Sequence, residues 1–239
     1  MKHFLVCSLL TLLAASAGAT TVTRGPYLQM GTDTELTVRW RTDAPVPSVV
    51  HFGDVEAVLD RSESDPGDRT SHEVRLTGLA PDTKYWYAIG DGTGVIDGGD
   101  PATWFRTAPT TGSSRALRIW VLGDSGLPGP DQDAVRDAYF ERTDGDTDLV
   151  LMLGDNAYAD GLDAEFQAGL FDPYAGILRN AVLWPARGNH DDVHPGADDD
   201  YFEFFTLPTA GECGGVVSGT ESWFSFDVGN VHFICFDSY

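Results

Sequence analysis

With 239 residues, 42% of them hydrophobic, the chain has room for one large domain or two small ones. Its 37 acidic residues against 15 Lys and Arg give a formal net charge of -22, which opposes nonspecific binding to nucleic acid and to anionic lipid. Most of those carboxylates read as solvated surface; service to hard cations is the narrower reading for a few of them.

Residues 1–19 form a unit of their own. Met1-Lys2-His3 precedes an apolar stretch from Phe4 to Leu13, and Ala15-Ser16-Ala17 and Ala17-Gly18-Ala19 offer small-x-small cleavage sites. This is the pattern of a secretory signal peptide, too short for the roughly 20 apolar residues that span a bilayer. The expectation is therefore a secreted or periplasmic protein, with no membrane association after cleavage. Removal of Cys7 with the leader leaves Cys213 and Cys235. In an oxidising compartment they are either a disulfide or, for Cys235 within Phe233-Ile234-Cys235-Phe236, a small buried hydrophobe.

From 21 to 107 short alternating stretches such as Leu36-Thr37-Val38-Arg39-Trp40 and Val49-Val50-His51-Phe52 are separated by turn residues, which predicts an antiparallel all-β sandwich. Leu76-Thr77-Gly78-Leu79-Ala80-Pro81-Asp82-Thr83-Lys84-Tyr85-Trp86-Tyr87 resembles the tyrosine corner of fibronectin type III domains. Trp40 and Trp86 read first as core packing and second as ligand contacts. The polar, breaker-rich stretch from Ala108 to Arg115 reads as an interdomain linker.

Beyond it, Ile119-Trp120-Val121-Leu122, Leu149-Val150-Leu151-Met152-Leu153 and Val182-Leu183-Trp184 are apolar runs of strand length. A helix entering at Pro128-Gly129-Pro130-Asp131 is expected to bury Ala134, Val135, Ala138 and Tyr139. A second helical segment carries Phe166, Leu170 and Phe171, and an acidic loop spans Asp191 to Asp200. Two strands around a Gly229-Asn230 turn close the chain, and His232 in the second reads as a half-buried strand residue. Strands alternating with helices predict a layered, mainly parallel α/β sheet.

Each of the three apolar runs ends in a short polar string: Gly123-Asp124-Ser125-Gly126, Gly154-Asp155-Asn156-Ala157-Tyr158 and Gly188-Asn189-His190-Asp191. Ligands converge at the carboxyl ends of parallel strands. Two ionised Asp residues brought together there need a cation or an Arg to offset their repulsion. Asp124, Asp155, the Tyr158 phenol and the Asn189 carbonyl form a hard oxygen set, and His190 can face a substrate. The glycine spacing after Gly123 is wrong for a dinucleotide loop, and no Gly-Lys-Ser or Gly-Lys-Thr string offers a P-loop.

In this order the strings resemble the calcineurin-like metallophosphoesterase superfamily, and within it the purple acid phosphatases. That branch uses Asp-x-Gly first and Gly-Asp-x-x-Tyr second, as Asp124-Ser125-Gly126 and Gly154 to Tyr158 do. The resemblance implies a fibronectin type III-like domain at 21–107 and the N-terminal part of a phosphoesterase domain at 116–239. It also implies a binuclear metal centre of Fe(III) with a divalent ion (Fe, Zn or Mn). Asp124 and Tyr158 would hold the ferric ion, Asp155 would bridge, Asn189 would hold the divalent ion, and His190 would orient phosphate or protonate the leaving group. The substrate is then a small phosphate monoester, attacked by hydroxide formed from a metal-activated water. The family's Val-x-x-His and Gly-His-x-His strings, which complete both metal shells, do not occur before Tyr239. The expectation is negligible turnover by these residues alone. The rival readings are an inactive binding module acting through its fibronectin-like domain and a phosphodiesterase on the same site.

Overall fold

The computed structural model describes residues 19–193 and 197–236. The leader read at 1–19 lies outside them except for its last residue, and so does His194. Among the described residues no helix is long and apolar enough to cross a membrane.

The first half is built from β1 (Val22–Gln29), β2 (Leu36–Gly53), β3 (Arg61–Leu76), β4 (Lys84–Gly90), β5 (Val95–Gly98) and β6 (Trp104–Arg106). All pair antiparallel: β2 lies between β1 and β4, β3 also pairs with β2, and β4 carries β5 and β6. The ladder between β2 and β3 changes register between Arg41 and Val46, where the long strand bends from the part facing β1 to the part facing β4. Alternation along these strands points Val38, Trp40, Val50, Phe52, Tyr85, Tyr87 and Phe105 into one core. The Tyr85 hydroxyl accepts the Ala80 N–H at 2.9 Å, the corner that the sequence anticipates.

His72 on β3 is fully buried in this core. Its ring stacks on Trp40 at 4.6 Å between centroids, with Nε2 2.7 Å from Thr42 Oγ1 and Nδ1 2.8 Å from Ser48 Oγ. Burial pushes its pKa down to about 4, with the nearby Arg69 adding to the effect. The folded state thus resists a proton that the unfolded chain accepts near pH 6.5. Stability is whole above about 6.5 and is lost as pH falls from there toward 4, by roughly 3 kcal/mol in all. Urea unfolding between pH 4 and 7 checks this: the slope should flatten in His72→Phe, and an identical slope in that variant would refute it.

The second half adds β7 (Ile119–Leu122), α1 (Pro130–Thr143), β8 (Leu149–Leu153) and a run of three abutting helical pieces. These are α2 (Asp163–Phe166), a π-wound turn (Gln167–Phe171) and α3 (Asp172–Leu178). Then come β9 (Val182–Ala186), a 3-10 turn (Asn189–Asp192), α4 (Ala197–Phe204) and a hairpin of β10 (Phe224–Val228) and β11 (Val231–Cys235). β7, β8 and β9 pair parallel with β8 in the middle, as the alternating pattern predicts. A single parallel step, Leu28 beside Val182, joins β1 to β9, so sandwich and α/β sheet are continuous.

Two expectations are corrected. Helix α1 buries none of its residues, and Val135 is 57% exposed. The side it turns inward carries Gln132, Arg136 and Phe140 beside the expected Tyr139. Tyr139 stacks on Trp120 at 4.0 Å, while Gln132 donates to the Ser125 and Gly169 carbonyls. Ala134 and Ala138 face solvent. The acidic stretch from Asp191 is not all loop, because α4 docks Tyr201 and Phe204 into the core. Of the two readings open for the cysteines, the disulfide is not formed: Cys213 and Cys235 are not bridged. Cys213 sits beside the interdomain cleft lined by Glu35 and Arg75, whereas Cys235 lines an apolar groove with Trp184 and Phe226. His232 lies on β11 with its side chain 45% exposed and Nδ1 2.6 Å from Asp227 Oδ1.

Candidate active site

Sheet order sets the site. Asp124 follows β7, Asp155 follows β8 and Asn189 follows β9, so the middle strand places Asp155 between the other two. Both aspartates stand one residue past a glycine, with φ of 54°, a left-handed conformation that Asp tolerates better than most residues. Two backbone bonds tie the loops together, from Asp124 N to Gly154 O at 3.1 Å and from Gly126 N to Asp155 O at 3.0 Å. The approach is close enough that only glycine fits. A Cβ at Gly126 would overlap the Asn156 backbone, and one at Gly188 would overlap the Asp155 nitrogen.

The Tyr158 hydroxyl lies 2.8 Å from Asp155 Oδ2 and 3.2 Å from Asp124 Oδ1, so a phenol and two carboxylates meet at one point. Burial and the bond to Asp155 push the phenol pKa up. Asp155 is 8% exposed, and its other oxygen, Oδ1, accepts the His190 N–H at 3.0 Å. The His190 ring packs against Tyr158 at 4.5 Å between centroids, and its Nδ1 lies 2.7 Å from the Ala159 carbonyl oxygen. A carbonyl only accepts, so Nδ1 carries the hydrogen. Asn189 opens the 3-10 turn on the exposed side of this group. The structure therefore gathers Asp124, Asp155 and His190 around Tyr158, while Asn189 is exposed at the start of the 3-10 turn. Among the described residues, no group of three or more His, Cys, Asp or Glu side chains is placed to hold a metal ion. The convergent donors are two carboxylates and a phenol.

Two residues that the sequence reading left without a role hold the site up. Asp191, fully buried, accepts from Asn156 N at 2.7 Å, Asn156 Nδ2 at 2.8 Å, Ala157 N at 3.0 Å and Gly188 N at 2.8 Å. Burial pushes its pKa up to about 6 against the pull of those donors. The signal was available, since an acidic residue three positions after Gly188 is placed to cap the turn that begins there. Glu165 accepts three backbone N–H groups from the loop after Tyr158. Nothing in its local pattern distinguishes it from an ordinary helix-entry glutamate.

Residues 24–107 match the model of the purple acid phosphatase N-terminal domain, and residues 117–235 match that of the calcineurin-like phosphoesterases. Among curated relatives the chain is similar to purple acid phosphatase 15 of Arabidopsis thaliana, 27% identical over 191 residues, 70% of this chain and 35% of that protein. It is similar to purple acid phosphatase 23 of the same plant at 28% over 199 residues, 70% of this chain and 40% of that one. It thus spans little more than a third of the length of these relatives. Among solved structures, the third fibronectin III domain of the human KIAA0343 protein aligns over 43% of this chain and 98% of its own, at 17% identity and a TM-score of 0.28.

Proposed function

We propose, on the premise that this chain belongs to the calcineurin-like phosphoesterases and carries a purple acid phosphatase N-terminal domain, that it hydrolyses phosphate monoesters as an exported acid phosphatase. One observation carries the reading: the Tyr158 hydroxyl meets the carboxylates of Asp124 and Asp155 at the carboxyl ends of two neighbouring parallel strands. An all-oxygen set of this kind fits a hard cation, and a phenol fits ferric iron in particular. Asp124 and Tyr158 would hold Fe(III), Asp155 would be shared, and Asn189 would serve a divalent partner (Fe, Zn or Mn). Such a pair supplies Lewis acidity toward a phosphoryl oxygen and activates water. The leader at 1–19 supports export to a secreted or periplasmic location. The domain division at 21–107 and 116–239 belongs to the same reading.

The chain's own residues supply orientation and protons. The Ala159 carbonyl holds the His190 Nδ1–H, which leaves Nε2 an acceptor in the neutral ring; the doubly protonated ring would donate from Nε2 to a phosphate oxygen or to the departing alcohol. The raised phenol pKa keeps Tyr158 protonated until a cation displaces that proton, so metal uptake should release acid.

The reading is tested by metal content and by turnover of a chromogenic phosphate monoester and diester, on this chain and on any longer product of its gene. Tyr158→Phe should bleach the visible colour of the ferric-loaded protein and weaken ferric binding, leaving the melting temperature close to that of the parent. Colour that persists in the variant would remove Tyr158 from the ligand set.

A further inference from the structure

Residues 159–162 link Tyr158 to α2, and Glu165 is the group that gathers their backbone. Its Oε1 accepts the Ala159 N–H at 2.8 Å, and its Oε2 accepts those of Asp160 and Leu162 at 3.0 Å each. The reach to Leu162 is the ordinary capping contact of a helix start. The bonds to Ala159 and Asp160 go beyond it, because those residues precede the helix and the carboxylate gains nothing for α2 by reaching them.

What they set is the approach to the site. Tyr158, directly before Ala159, places its hydroxyl against Asp124 and Asp155, and the Ala159 carbonyl holds His190 Nδ1. The element is anchored on its far side as well. Asp163 accepts from Arg24 Nη2 at 2.6 Å and from Arg41 Nη1 at 2.8 Å, two cations delivered by β1 and β2 of the sandwich. Arg24 is 2% exposed, and its guanidinium lies 4.0 Å from the Phe171 ring centroid and 4.3 Å from that of Phe204. Although burial alone would raise them, the Arg41 and Arg24 contacts hold the Asp163 pKa below its usual value, and the backbone donors do the same for Glu165.

We propose that Glu165 is a positioning residue for the site, fixing the turn that presents Tyr158 and orients His190, and that Asp163 braces this turn against the sandwich through Arg24 and Arg41. The inference rests on the hydrolytic reading above and gives the sandwich a part in site geometry. The sandwich then acts as a support for the site in addition to any role as an attached module.

The test compares the parent chain with Glu165→Gln and Asp163→Asn, first without metal. Glu165→Gln retains bulk but turns an amide NH2 toward N–H donors. Exchange at the Ala159, Asp160 and Leu162 amides should accelerate at least about tenfold, with the β8 amides unchanged. The His190 ring-nitrogen NMR shifts should move from a single Nδ1–H tautomer toward a mixture. Asp163→Asn should produce the same changes at smaller amplitude. With ferric ion added, Glu165→Gln should lower affinity about tenfold or more and shift the visible band. Unchanged exchange would overturn the proposal. Faster exchange with unaltered His190 shifts would overturn it too, because Glu165 would then be only a helix cap. Failure of both the parent chain and any longer product of its gene to bind ferric ion would sink the hydrolytic reading, while the metal-free measurements would still decide the role of Glu165.

Discussion

Replacing Asp155 by Asn is expected to cost at least about a hundredfold in ferric affinity and, in any longer product of the gene that turns over phosphate esters, to remove that hydrolysis. Outer-shell partners of a metal site are already worth ten- to a hundredfold, and Asp155 stands closer to the centre than any of them. It is the middle residue of the three strand ends and the one carboxylate that touches both Tyr158 and the His190 backbone. The asparagine keeps the size and one acceptor oxygen but loses the charge that would be shared between two cations. It also places an NH2 against either the Tyr158 hydroxyl or the His190 N–H. Calorimetric titration with ferric and zinc ions, beside a melting curve, separates loss of charge from loss of fold. Parent-like affinity for two equivalents of metal in Asp155→Asn would refute the central position given to this residue.

The second large effect is structural. Asp191→Ala removes a fully buried acceptor from four N–H donors at 2.7 to 3.0 Å, three of them on the backbone of the loops that carry the site. Hydrogen bonds to a charged group contribute about 1.5 to 3 kcal/mol each, and donors left buried without a partner cost further. Contacts in one network do not add simply, so a total of at least about 4 kcal/mol is expected, roughly 8 to 16 °C in melting temperature for a chain of this size. Its neighbour Asp192 is the control. That side chain is 32% exposed and meets Arg187 at 3.4 Å, so Asp192→Ala should shift stability by less than about 1 kcal/mol. Equal melting temperatures for the two variants would show that the four-donor cradle does not support the loops.

The N-terminal sandwich was legible because period-two alternation and turn residues are local properties of the strand. The Tyr85 corner was legible for the same reason. The three strands of the second half announced themselves as apolar runs, and the polar strings behind them named Asp124, Asp155, Tyr158, Asn189 and His190, since a residue just past a parallel strand has only one place to be. Helix α1 was misread because its inward side is chosen by what Trp120 and the Ser125 and Gly169 carbonyls require, and a helix with no buried residue offers no apolar stripe to detect. Asp191 and Glu165 show the limit most clearly. Each acts mainly through backbone N–H groups, which are the same at every residue, so that beyond the capping position of Asp191 after Gly188 the sequence carries little mark of them. Their value depends on which loops the sheet order brings within reach. The contact of Arg24 and Arg41 with Asp163 is likewise invisible in one dimension, because it spans 139 and 122 residues. The sequence by itself therefore determined the strands, the order of the loops and the chemical identity of the donors, all of which follow from local periodicity and side-chain type. Only the tertiary structure decided that Asp155 stands in the middle, that Asp191 and Glu165 hold the loops, and that the sandwich braces the Tyr158 turn, because these depend on strand adjacency and on satisfying buried polar groups across long separations.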